Sequence, residues 1–111
     1  MDRSDTYREI VRRTLKSVAD ITPSEIEIRT EFICDESQGH YQVSQVGWDG
    51  KHRVDDVFLH VDVIDGKVWL QHDGTNLRIA EDLVRAGIPK EDIVLAFHHP
   101  TRRKDTDYAV A

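Results

Sequence analysis

From Ile26 to Gln71 the apolar residues recur at every second position, and two Asp-Gly pairs interrupt the run. A period of two is the spacing of strands with one buried face, so this stretch reads as a meander of paired strands. Ile26, Ile28, Thr30, Phe32 and Cys34 alternate with Glu25, Glu27, Arg29 and Glu31, and Asp35–Gly39 is a polar turn. The next strand carries Tyr41 and Val43, then its apolar phase slips and resumes at Val46 and Trp48. Asp49-Gly50 marks a tight hairpin, because both central positions of the favoured two-residue turn take φ above zero. Beyond it Val54 is out of phase with Val57, Leu59, Val61 and Val63. Slips on both sides of one hairpin predict a β-bulge near Ser44–Val46 or Asp55–Val57, since one extra residue changes which face looks inward. Asp65-Gly66 closes a second hairpin that sets Val63 opposite Val68 and Val61 opposite Leu70, a core face. The other face collects Phe58, His60, Asp62, Ile64, Trp69 and Gln71.

Helical spacing flanks the meander. Tyr7, Ile10, Val11, Leu15, Val18 and Ala19 form one apolar stripe, with Ser4 or Asp5 as N-cap and Pro23 as stop. After the meander, Thr75 is the predicted cap of a helix that buries Ile79, Ala80, Leu83 and Val84 and stops at Gly87. Pro89–Asp92 forms a short turn and Ile93–Phe97 a last strand. The fold class is α+β: a mainly antiparallel sheet of about five strands with two tight hairpins, an N-terminal amphipathic helix, and a second helix after the meander.

The chain has 111 residues, room for one domain, and is 39% hydrophobic, enough for a modest core without disulfides. Twenty-one acids against fifteen bases give a net charge of −6, which repels phosphate backbones at long range and argues against independent nucleic-acid binding. The lone Cys34 has no disulfide partner in the chain, which fits a reducing cytoplasm. Met1-Asp2-Arg3-Ser4-Asp5 leads into no apolar run, and no stretch approaches the roughly twenty apolar residues of a membrane span. A cytoplasmic protein without membrane contact is expected.

Few side chains are arranged for chemistry. His98 and His99 are adjacent, so on an extended segment they point to opposite faces. His60 and Asp62 share one strand face, but metal binding needs three or four convergent ligands and the spacing supplies two; a hydrogen-bonded surface pair is the commoner arrangement. Cys34 continues an inward alternation and reads as a buried, inert thiol. No serine sits on a glycine-flanked turn that would expose a nucleophile, and the single glycines form no phosphate-cradling loop. No catalytic, metal or cofactor site is therefore assigned. Arg12, Arg13 and Lys16, and separately Arg102, Arg103 and Lys104, are candidate phosphate contacts, although solvated charge is the ordinary role of such residues. Trp48 is expected to pack on the sheet. Trp69, with Phe58, His60, Asp62 and Ile64, has the composition of an interface: a large aromatic among polar groups. That surface would serve a partner or a second copy, unless the segment ending Tyr108-Ala109-Val110-Ala111 folds over it.

Longer stretches narrow the reading. Val46-Gly47-Trp48-Asp49-Gly50 is followed by His60-Val61-Asp62-Val63-Ile64-Asp65-Gly66-Lys67-Val68-Trp69-Leu70-Gln71-His72-Asp73-Gly74-Thr75, then by Ala86-Gly87-Ile88-Pro89-Lys90-Glu91-Asp92-Ile93-Val94-Leu95-Ala96-Phe97. With Tyr7-Arg8-Glu9-Ile10-Val11 near the start and the Tyr108–Ala111 end, the whole chain resembles the XisI family, cyanobacterial fdxN element excision controlling factors. Asn76 departs from it, standing where the family pattern has an acidic residue. The resemblance implies a single XisI-like domain over residues 1–111 and an accessory role in the DNA rearrangements of heterocyst-forming cyanobacteria. There a site-specific recombinase removes an element from a nitrogen-fixation gene. It also implies a XisH-like, nuclease-related partner encoded alongside. It carries no catalytic residue over to any position here. The resulting expectation is a non-catalytic regulator that binds a XisH-like protein. Its rivals are a DNA-binding accessory factor acting through the basic clusters and a small metal-dependent hydrolase or nuclease using His60 and Asp62.

Overall fold

The structure is a computed structural model that describes residues 3–22 and 27–111. The predicted strand start at Ile26 and the Pro23 helix stop lie outside the described residues. A long helix α1 (Arg3–Ile21) precedes a meander of β1 (Ile28–Asp35), β2 (His40–Asp49), β3 (His52–Ile64) and β4 (Lys67–Asp73). Helix α2 (Ile79–Arg85), a single 3-10 turn at Lys90–Asp92, β5 (Ile93–Leu95) and the short helix α3 (Pro100–Arg103) complete the order. The strands form one sheet, β1-β2-β3-β4-β5, antiparallel except for the β4–β5 pair. This is the expected α+β class, with the last strand parallel because α2 carries the chain back across the sheet.

Alternation on the strands and the stripe on α1 meet in one core. Tyr7, Ile10, Val11, Leu15 and Val18 of α1 pack on Tyr41, Val43, Leu59, Val61, Val63, Val68 and Leu70. Ile79 and Leu83 of α2 close the same cluster. Because α1 extends back to Arg3, Ser4 and Asp5 lie inside its first turns and do not precede it as caps. Thr75 is not a helix cap either. Its N–H and hydroxyl both donate to Asp73 Oδ1, at 2.9 and 2.6 Å, so it closes a local turn, and α2 starts four positions later at Ile79. Gly87 (φ +120) follows the C-cap of α2, as predicted.

The hairpins follow turn chemistry. Asp65 (φ 50) and Gly66 (φ 76) are the central residues between paired Ile64 and Lys67, with Val63 opposite Val68 and Val61 opposite Leu70. At the other hairpin Asp49 pairs with His52, so the central residues are Gly50-Lys51, one position later than expected. The predicted bulge is present: the register shifts at Val43/Ser44, where Phe58 is the extra residue of β3. Phe58 is thereby turned from the mixed face to pack against the core. A second shift, at His60/Val61, leaves Gln71 as the extra residue of β4.

The helical layer is smaller than the sheet, and the burial expected of Cys34 fails. A 13-residue strand spans about 43 Å, whereas the 19-residue α1 is about 28 Å long. The β2–β3 tip projects beyond α1, and Trp48 there is 48% exposed, with the Arg53 guanidinium 5.4 Å from its ring centre. Cys34 is exposed, not buried. Its strand is an edge strand of the sheet, and the neighbouring Arg12 of α1 pairs with Glu36 at 3.3 Å instead of offering an apolar cover.

Candidate functional site

Helices α1 and α2 cover one face of the sheet, and the other stays largely open. Residues on that open face include Ile33 of β1, Val57 and Ile64 of β3, all exposed, and the partly buried Trp69 of β4. Among them the register assembles a polar centre. His40 on β2 is the direct partner of Asp62 on β3, and His60 lies two residues before Asp62 on the same face. His40 Nδ1 is 2.8 Å and His60 Nε2 2.9 Å from the same oxygen, Asp62 Oδ1. Gln71 Nε2 donates to the other oxygen, Oδ2, at 3.2 Å. Asp62 is 5% exposed, while the side chains of His60 and His40 are 30% and 46% exposed. The result is a buried carboxylate at the floor and two imidazoles at the mouth. Such a set can hold a divalent metal ion or relay a proton between the two rings.

Sequence reasoning singled out His60 and Asp62 and missed His40. Counted back from the observed Asp49–His52 pair without the extra Phe58, the register would set His40 opposite Val61. Only the bulge brings it onto Asp62.

Trp69 and Ile64 share the open face with this centre, as the hairpin predicted, and the C-terminal segment covers part of it. Arg103 lies 5.7 Å over the Trp69 ring and donates to the carbonyls of His98 (3.0 Å), Ala96 (3.3 Å) and Val110 (3.3 Å). Ala109 N–H donates to the Ile93 carbonyl at 2.8 Å and pairs as a bridge with Val94. The chain end is thus a strap fastened by Arg103. That arginine is occupied in the fold. Arg12 pairs with Glu9 (2.6 Å) and Glu36 (3.3 Å), and Arg13 with Glu9 (3.3 Å). Arg102 and Lys104 are exposed beside the strap. The two basic clusters stand on different layers, α1 over the core and α3 next to Trp69.

A second buried carboxylate serves stability. Asp92 accepts a hydrogen bond from the Tyr7 hydroxyl and lies 3.7 Å from the Arg3 guanidinium. Burial, and then the bond to Asp92, push the Tyr7 hydroxyl up to about 12. Between α1 and α2 runs a groove of about 490 Å³ whose lining mixes Ile10, Val18, Ile21 and Leu77 with Arg13 and Asp82.

The comparisons with known proteins agree with this architecture. The model of the XisI protein family matches residues 1–110. The chain belongs to the XisI family. A crystal structure of a XisI-like protein from Anabaena variabilis ATCC 29413 is 40% identical and superposes with a TM-score of 0.93, over 97% of this chain and 99% of that one. The crystal structure of the fdxN element excision controlling factor XisI from the same organism is 37% identical, with a TM-score of 0.89 over 99% and 100% of the two chains. No curated protein matches significantly. The XisI fold is therefore a helix-backed five-stranded sheet, and among the described residues no helix is long and apolar enough to cross a membrane.

Proposed function

We propose that this chain is a non-catalytic accessory protein controlling site-specific DNA excision of the fdxN element type, and that it acts by binding a XisH-like, nuclease-related protein in the cytoplasm. The observation that carries this reading is the end-to-end likeness to a protein named as an excision controlling factor, 37% identical over 99% of the chain. The open sheet face supports a binding role. Ile33, Val57, Ile64 and Trp69 make an apolar surface around the polar His60–Asp62 centre, the pattern of apolar anchors with satisfied polar groups that interfaces use. The net charge of −6 favours contact with DNA through a partner over direct contact. A recombinase would then be reached through the same assembly.

The test is co-purification from the native host with a tag on this chain, beside a Trp69→Glu variant. The reading predicts that the XisH-like protein is retained and that the variant stays folded but loses retention. Interface aromatics are worth about 2 kcal/mol or more, roughly thirtyfold in affinity. An intact wild-type chain that never retains a XisH-like protein would sink the proposal.

A further inference from the structure

Two of the described aspartates are buried, and they are neutralised in different ways. Asp92 has a fixed cation, Arg3, and a tyrosine hydroxyl. Asp62 is as deeply buried but, among the described residues, is bonded by no lysine or arginine. Its partners are two imidazoles and an amide. A buried carboxylate without a fixed cation is costly unless something else carries the positive charge. Both imidazoles aim a ring nitrogen at one oxygen of that carboxylate, and the three ligand atoms lie within 4.8 Å of one another.

We propose that His40 Nδ1, His60 Nε2 and Asp62 Oδ1 form a binding site for a single Zn²⁺ ion on the open face of the sheet. This goes beyond the accessory role above and does not depend on it. Two imidazoles with one carboxylate are a donor set for zinc, whereas Mg²⁺ and Ca²⁺ prefer all-oxygen shells. Zinc takes nitrogen and oxygen ligands at about 2.0–2.1 Å, so tetrahedral ligand atoms stand about 3.3 Å apart. The present separations to Oδ1, 2.8 and 2.9 Å, would open by about half an ångström, and the two ring nitrogens, within 4.8 Å of each other, would close by up to about 1.5 Å as the side chains turn towards the ion. With Asp62 ionised and both rings neutral, entry of the ion requires no proton to leave. Each ring moves its proton from the nitrogen facing Asp62 to its other nitrogen, and the freed lone pair binds the ion. Gln71, donating to Oδ2, holds the carboxylate so that Oδ1 faces the rings, the role supporting hydrogen bonds play around zinc ligands. The partly exposed histidines leave an entry path and a fourth position for water.

Calorimetric titration of the untagged, metal-stripped full chain with Zn²⁺ tests the site, alongside nitrogen-detected imidazole spectra of the same wild-type sample. The expected result is one Zn²⁺ per chain, with the coordination shift on His40 Nδ1 and His60 Nε2. His60→Gln or Asp62→Asn should weaken binding about 100-fold or more, Gln71→Leu roughly tenfold, and the control His52→Gln not at all. The spectra need no variant, so a misfolded mutant leaves the question decidable. The proposal is overturned by shifts confined to His52, His98 or His99, by one ion per two chains, or by no saturable binding.

Discussion

At the residue scale, Tyr7 shows how one side chain joins sequence pattern to stability. Its ring belongs to the apolar stripe of α1, while its hydroxyl reaches Asp92 beside β5, 85 positions away. Removing the hydroxyl strips the buried carboxylate of a donor but leaves the ring in the core. Tyr7→Phe is therefore expected to cost about 1–3 kcal/mol in urea unfolding at neutral pH, the usual cost of an orphaned buried polar partner. The same contact fixes a pH dependence. Burial first, and the bond to Asp92 second, raise the Tyr7 hydroxyl to about 12, above the roughly 10 of an unfolded tyrosine. A raised folded value means that the native state holds its proton while the unfolded chain releases one. The stabilisation is thus complete below about pH 10 and is lost as pH rises to about 12. Tyr41, pushed up to about 12 by burial, adds to the fall in the same window. Midpoints measured from pH 9 to 12 should decline more gently in Tyr7→Phe than in the wild type. Parallel declines would show that Tyr7 does not contribute.

Among the elements, the β1–β2 pairing depends on a close approach at Gly47. Its φ is +152, and a Cβ built there would meet the Glu27 carbonyl oxygen at 1.8 Å, the same oxygen that accepts from Trp48 N–H at 2.8 Å. No side chain fits without moving backbone. Gly47→Ala should destabilise by about 2 kcal/mol or more through strain and lost pairing, and expose β1 amides to faster hydrogen exchange. An alanine variant with wild-type exchange on β1 would show that the approach is dispensable. Elements of this kind also mark what sequence can reveal. The hairpin at Asp65-Gly66 was legible, and the one at Asp49-Gly50 to within one residue, because turn preference and alternation are local. The slip at Val46 and Val54 disclosed a bulge for the same reason. The C-terminal strap was legible only as an alternative, and its fastening by Arg103, parallel β5 and the meeting of His40 with Asp62 were not legible, since each depends on pairing between distant segments. Cys34 was in phase but misjudged for burial, because alternation reports which face a residue takes and not how far the helical layer extends over it.

For the whole molecule, charge and its placement decide how DNA can be met. The net charge of −6 sets a repulsive background, and the arginines that could oppose it are largely engaged. Arg12 is held by Glu9 and Glu36, and Arg13 by Glu9. Arg103 is committed to three carbonyls and the Trp69 ring. Arg102 and Lys104 remain exposed near the strap, on a different layer from α1. One phosphate track cannot reach both groups, so a duplex would gain only about two contacts at a time. Each contact releases about one counterion, so the logarithm of affinity should fall with the logarithm of salt at a slope of about −2. Non-specific binders with many more contacts sit at roughly 10⁻⁴–10⁻⁶ M at physiological salt. The isolated chain should be at or beyond the weak end of that range. A filter-binding titration on duplex DNA at about 150 mM salt checks this. Sub-micromolar affinity there, or a slope much steeper than −2, would mean that a basic surface assembles which the monomer lacks, for instance by pairing of two copies. Retention that appears only when a XisH-like protein is added would instead place the DNA contacts on that protein, as the proposed accessory role requires.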